Sequence, residues 1–119
     1  MNGLRILVVE DEFLLACALE EDLRALGAVV VGPCCNLEQA SAASRHEKVD
    51  LAVLDINLNG AMVYPLAEEL TARGIPFLFL TGYSALDLPV EFRGSPRISK
   101  PYHAANLAAE IRRIAPKAP

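Results

Sequence analysis

Apolar residues fall in short runs separated by polar turns, and the runs alternate between strand-like and helix-like spacing. Arg5–Val9 is apolar and β-branched after its first residue and stops at Glu10-Asp11-Glu12, which predicts a first strand. Phe13, Leu14, Cys17, Leu19, Leu23 and Leu26 then recur at helical spacing, and Gly27 has the position of a C-terminal cap. Ala28–Val31 predicts a second strand, short and buried, that Gly32-Pro33 ends. Asn36 caps a second helix to about Arg45, and Val49–Leu54 forms a third strand ending on Asp55. Asn57, Asn59 and Gly60 make a turn, and Pro65 suits the first turn of a third helix that runs to Arg73 before Gly74.

Ile75–Leu80 predicts a fourth strand ending at Thr81-Gly82. In the 83–94 segment Asp87, Pro89 and Gly94 leave little sequence for a regular helix, so one short helix or an irregular loop is expected there. Arg97–Ser99 is a brief fifth strand before Lys100-Pro101, and Leu107, Ala108, Ile111 and Ile114 line one face of a closing helix. Residues 115–119 are expected to fray. Near-continuous apolar strands alternating with helices predict an α/β fold, a parallel sheet covered on both faces and joined by right-handed crossovers.

The size of the chain sharpens this picture. A chain of 119 residues, 53% hydrophobic, suits one domain spanning 1–119 with a sizeable core and no second effector domain, so its output must leave through a partner. The net charge of -4 argues against a nucleic-acid or anionic-membrane surface, which would need a clustered excess of Lys and Arg. After Met1-Asn2-Gly3-Leu4-Arg5 only four apolar residues run before the first acidic cluster, too few for a signal-peptide core or a membrane span. Cys17, Cys34 and Cys35 are odd in number and lack CxxC spacing, which fits free, partly buried thiols in a reducing cytoplasm. His46 and His103 match no metal-ligand spacing and read as surface residues.

In an open parallel sheet, ligands bind at the carboxyl ends of the strands. Glu10 and Asp11 end the first strand, Asp55 the third, Thr81 the fourth and Lys100 the fifth. If the first and third strands are neighbours, three carboxylates converge, and their repulsion either raises a pKa or requires a cation. Hard oxygen ligands of this kind favour Mg²⁺. The plainer alternative is that acids populate strand ends and helix starts as caps, and Glu12 reads as such a residue.

Taken together, these residues resemble those of the response-regulator receiver family, whose CheY-like fold is a doubly wound five-stranded sheet of order 2-1-3-4-5 with helices on both faces. The resemblance covers essentially the whole chain. Glu10-Asp11 is similar to the family's metal-holding acids, Asp55 to its phosphoacceptor, Thr81 to its hydroxyl residue, and Lys100-Pro101 to its lysine followed by a usually cis proline. The resemblance implies that Asp55 attacks a phosphohistidine or small phosphodonor, giving an acyl phosphate. It implies Mg²⁺ held by Asp11, Asp55, the backbone carbonyl of Asn57 and a water-linked Glu10, with Lys100 and Thr81 on phosphoryl oxygens and Gly82 leaving them space. A sensor histidine kinase or phosphotransfer protein is the implied donor, and an unidentified protein the downstream target.

Two features set this chain apart within that family. Many receivers carry an aromatic three residues before the lysine as part of their switch, and here that place is Arg97, leaving Tyr83 and Tyr102 as available aromatics. Phe79-Leu80-Thr81-Gly82-Tyr83, with Asp55-Ile56-Asn57-Leu58-Asn59-Gly60, resembles the single-domain FATGUY-type receivers, in which the fourth helix is short or absent. That subgroup implies an HWE-type histidine kinase upstream. Other classes remain open: a non-switching interaction module on the same fold, or an enzyme. A haloacid-dehalogenase-type phosphatase would need an Asp where Asn57 stands, and a flavodoxin-like carrier a Ser/Thr/Gly-rich phosphate loop where Glu10-Asp11-Glu12 stands.

Overall fold

Alternation within the strands sends neighbouring residues to opposite sides of one sheet, and each side collects its own pair of helices. The computed structural model describes residues 2–82 and 87–116. In chain order the elements are β1 (Arg5–Val9), α1 (Phe13–Ala25), β2 (Val29–Cys34), α2 (Leu37–His46), β3 (Leu51–Asp55), β4 (Asn57–Leu58), β5 (Ala61–Met62), α3 (Tyr64–Ala72), β6 (Phe77–Thr81), β7 (Arg97–Ser99) and α4 (Ala104–Ile114). The main sheet is five-stranded and parallel with order β2-β1-β3-β6-β7, which is the expected 2-1-3-4-5 once the short β4–β5 hairpin is set aside. Leu7 and Val9 of β1 join Leu54, Leu66, Leu70 and Phe79 in a core beneath α2 and α3. Ile6 and Val8 face the other way, with Leu19, Leu23, Val53, Leu80, Leu107 and Ile111 beneath α1 and α4. Burial of these side chains is the main driving force for the three-layer arrangement.

Several boundaries depart from the sequence reading for identifiable reasons. β2 does not end at Gly32-Pro33 but runs through them to Cys34, with its register against β1 shifting between Leu7 and Val9. An edge strand tolerates Pro at such an irregularity because the missing N–H has no ladder partner to lose. Gly32 is required there: its φ is +96°, and a Cβ would sit 2.7 Å from the Cys34 nitrogen. As an edge strand β2 is also less buried than expected, with Val29 exposed. On α1 the buried face is Ala16, Leu19 and Leu23, whereas Phe13 and Leu14 are each 76% exposed. Asn36 caps α2 as expected, its side chain accepting a 2.8 Å hydrogen bond from the Gln39 N–H. Cys34 is buried, but Cys35 is exposed rather than packed.

The turn after Asp55 is more ordered than predicted. Asn57 pairs with Met62 and Leu58 with Ala61 in a two-stranded antiparallel hairpin, turned by Asn59 and Gly60, both at positive φ. In the 83–94 segment, residues 83–86 lie outside the described residues; the described remainder includes a 3-10 turn, Val90–Phe92, consistent with a short or irregular fourth crossover. Phe92 pins this turn to the sheet, stacking on Tyr64 and meeting Phe79 edge to face. Of the tail expected to fray, residues 117–119 are likewise outside the described residues. Among the described residues no helix is long and apolar enough to cross a membrane.

Candidate functional site

Strand register assembles the polar residues. Val9 pairs with Leu54, so the next positions, Glu10 and Asp55, emerge side by side where the two strands end. Asp55 pairs with Leu80, placing Thr81 one step beyond it, and Thr81 pairs with Ser99, so that Lys100 follows at the same edge. The Lys100 N–H donates to the Thr81 carbonyl at 2.9 Å, extending the ladder by one rung and fixing where the lysine side chain starts.

One carboxylate oxygen from each of Glu10, Asp11 and Asp55 lies within 4.8 Å of the other two. Glu10 and Asp55 are buried and Asp11 is half-buried. Lys100 Nζ donates to Asp55 Oδ1 at 3.1 Å and lies 3.2 Å from Glu10 Oε2. The latter contact is an ion pair without hydrogen-bond alignment, so Glu10 Oε2 is a fully buried oxygen with no hydrogen bond. Glu10 Oε1 accepts from the Glu12 N–H at 3.1 Å. Glu12 occupies the N-cap position of α1, but its side chain makes no cap hydrogen bond, so its expected capping role reduces to a charge near the helix start.

This crowding changes protonation. Burial raises the Glu10 carboxyl to about 7; the negative charge of Asp55 adds to the shift, and the Glu12 N–H and Lys100 oppose it. Burial also raises Asp55, against the hydrogen bond and charge of Lys100, with Asp11 adding to the rise. For Lys100, burial alone would lower the pKa, but the hydrogen bond and charge of Asp55, together with Glu10, outweigh it and hold the ammonium protonated. One cation thus contacts the two buried carboxylates of a cluster of three, and one buried oxygen, Glu10 Oε2, has no hydrogen bond. That donor set fits a second, hard cation of the Mg²⁺ type, which takes few carboxylates and completes its shell with water.

Thr81 is buried at the end of β6. Asn57 stands two residues beyond Asp55 at the start of β4, its side-chain oxygen accepting from the Gly60 N–H at 2.6 Å, which stiffens the backbone next to the acids. A Cβ at Gly82 would meet no described atom within 4 Å, so no described contact demands the glycine. The Lys100–Pro101 peptide is cis. Arg97 is exposed on the edge strand β7. One link had no counterpart in the sequence reading: the Tyr102 hydroxyl donates to Asp22 Oδ2 on α1 at 2.7 Å, across 80 positions of chain. No periodic pattern marks such a pair in advance.

Comparison with known proteins places this arrangement. The solution structure of SdrG from Sphingomonas melonis Fr1 is 38% identical, with a TM-score of 0.82 over 92% of this chain and 94% of that one. SdrG has also been solved in a BeF3-activated conformation. The receiver domain of a Pseudomonas aeruginosa sensor histidine kinase, 25% identical with a TM-score of 0.82 over 94% of this chain and 97% of that one, carries a magnesium ion coordinated in its active-site cleft. The regulator PhyR of Methylorubrum extorquens is 33% identical over 111 residues, 89% of this chain and 41% of PhyR. The chain spans about half the length of the first curated relatives it matches. Residues 6–112 match the family described as response regulator receiver domain, and with that coverage, on this topology and with the acids at this edge, the chain belongs to that family.

Proposed function

We propose that this receiver accepts a phosphoryl group on Asp55 from a phosphohistidine of a histidine kinase or phosphotransfer protein, HWE-type kinases being the candidate class, and signals by changing which protein it binds. The observation that carries this reading is the pairing of Asp55 with a protonated Lys100 inside a cluster of three acids at the carboxyl edge of the sheet. Asp55 Oδ would attack phosphorus as the bond to the donor imidazole breaks, and the imidazole leaves with the electron pair. Lys100, already within hydrogen-bond reach of Asp55, supplies a charge-assisted contact to an oxygen of the incoming group, and Thr81 beside it offers a hydroxyl. Mg²⁺ held by Asp11, Asp55, the Asn57 carbonyl and, through water, Glu10 would neutralise charge on the phosphoryl group. Hydrolysis of the acyl phosphate at the same site would reset it.

Support for the readout is of a different kind. Arg97 stands exposed where an aromatic switch residue is usual, so transmission is assigned to the 87–94 segment, which Phe92 holds against Phe79 two residues from Thr81. The test is incubation with acetyl phosphate and Mg²⁺ followed by intact-mass measurement. A single phosphoryl adduct, absent in Asp55→Asn, is expected. No adduct at saturating Mg²⁺ would instead favour a receiver-fold module that binds its partner without switching.

A further inference from the structure

We propose that Tyr102 and Asp22 form a positioning pair that holds Lys100 over the acids; this rests on the reading of Lys100 given above. Lys100 leaves β7 on the short connection 100–103 that leads into α4, and its ammonium must reach two buried carboxylates from there. The start of that connection is tied to β6 by the Lys100 N–H on the Thr81 carbonyl. Its other end is not tied by a helix cap, because His103 occupies the N-cap position of α4 without a side-chain cap bond. What ties it sideways is the Tyr102 hydroxyl, donating to Asp22 Oδ2 at 2.7 Å.

The bond joins the lysine connection to the helix that directly follows the acids. Asp22 lies on α1, which begins at Phe13, immediately after Glu10-Asp11-Glu12. Tyr102 Oη and Asp22 therefore brace the cation's connection against the helix that follows two of the three carboxylates in the chain. Both residues are half-buried, and the Tyr102 ring packs against the core formed by Leu19, Leu23, Leu107 and Ile111. Burial, with the hydrogen bond and charge of the Asp22 carboxylate next, raises the Tyr102 phenol above its ordinary value, which favours the protonated, donating hydroxyl. A hydrogen bond to a charged acceptor is among the stronger ones, which suits a brace. Neither residue touches the reacting atoms; both act through Lys100.

The experiment reads Lys100 directly by the NMR resonances of its side-chain Cε and Hε, identified by their loss in Lys100→Arg, with the exposed Lys48 as the reference for a free lysine. Tyr102→Phe keeps the ring and removes the hydroxyl, and the Lys100 signal is expected to move toward that of Lys48. Asp22→Ala should do the same, while Asp22→Asn, which retains an acceptor oxygen, should leave the signal near its wild-type position. A second readout is the rate of phosphorylation by acetyl phosphate. It is expected to fall about tenfold in Tyr102→Phe, since small misplacements of a catalytic group cost rate steeply, and to fall no further when Tyr102→Phe is added to Lys100→Ala. A Lys100 signal unmoved in folded Tyr102→Phe and Asp22→Ala overturns the proposal, as does an undiminished Tyr102→Phe effect in the Lys100→Ala background. Absence of any adduct in the wild type would count against the Asp55 reading alone, because the Lys100 resonance still decides the positioning claim.

Discussion

The two ends of the sheet are built from the same strands in the same register, yet they differ in what they bury. At the carboxyl end Glu10, Asp55 and Thr81 are buried polar residues, with Lys100 reaching in among them. At the amino end Ile75, Pro76 and Phe77 open, with Phe92 and Ile114, onto an apolar cavity of about 880 Å³. Among the described residues the amino end has no comparable group of buried acids. At the carboxyl end, burial works against the charged forms of Glu10 and Asp55, and one lysine offsets that cost only in part. The difference separates two kinds of residue within one sheet: those whose burial holds the fold, and those whose burial works against it.

The largest effect expected from breaking this division is on the side that holds the fold. Phe79 is fully buried and makes ring contacts with Tyr64, Phe77 and Phe92. Phe79→Ala should cost about 3 to 5 kcal/mol in urea unfolding. A loss under 1 kcal/mol would mean that the aromatic cluster is not what anchors the 87–94 segment.

Next comes the pH dependence of the metal-free protein. Because Glu10 is raised from 4.5 to about 7 in the folded state, the fold holds that proton more tightly than the unfolded chain does. Its stabilisation is complete below about 4.5 and is lost as pH rises through about 7, a change on the order of 3 kcal/mol. Asp55 is raised too and shifts in the same sense. Unfolding free energy measured with chelator present should therefore decline from pH 5 to pH 8, and Glu10→Gln should flatten much of that decline. A rise over the same range would contradict the burial account of this edge. Added Mg²⁺ should restore stability at pH 8, since it takes the ionised acids, and Glu10→Gln should weaken that restoration.

The smallest effect is a control outside both ends. Asn36→Ala removes the cap of α2 and should cost about 1 kcal/mol while leaving the rate of phosphorylation unchanged. A change in rate would show that the site senses general loosening of the fold, and the division between the two ends would blur.

Much of the site could be read from the sequence because each polar residue interrupts an apolar run at its end. Glu10-Asp11, Asp55, Thr81 and Lys100 fall at strand ends, and parallel register then brings them to one edge. What escaped was set by long-range packing. Gly32-Pro33 reads as a stop, and only the edge position of β2 lets the strand continue through it. Phe13 and Leu14 share helical spacing with Leu19 and Leu23, but periodicity alone does not say how far round the helix the sheet reaches. Two-residue strands such as β4 and β5 are too short to carry a pattern. Tyr102 and Asp22 meet because α1 and the connection before α4 share one face of the sheet, which no local signal announces.

The central claim is that Asp55 itself becomes the acyl phosphate. Borohydride reduction of the protein after exposure to acetyl phosphate and Mg²⁺ converts an aspartyl phosphate to homoserine, and peptide mass spectrometry locates the change. Homoserine at position 55, dependent on both donor and Mg²⁺, is the predicted result. An unmodified Asp55, or homoserine at Asp11 or another acid instead, would contradict it.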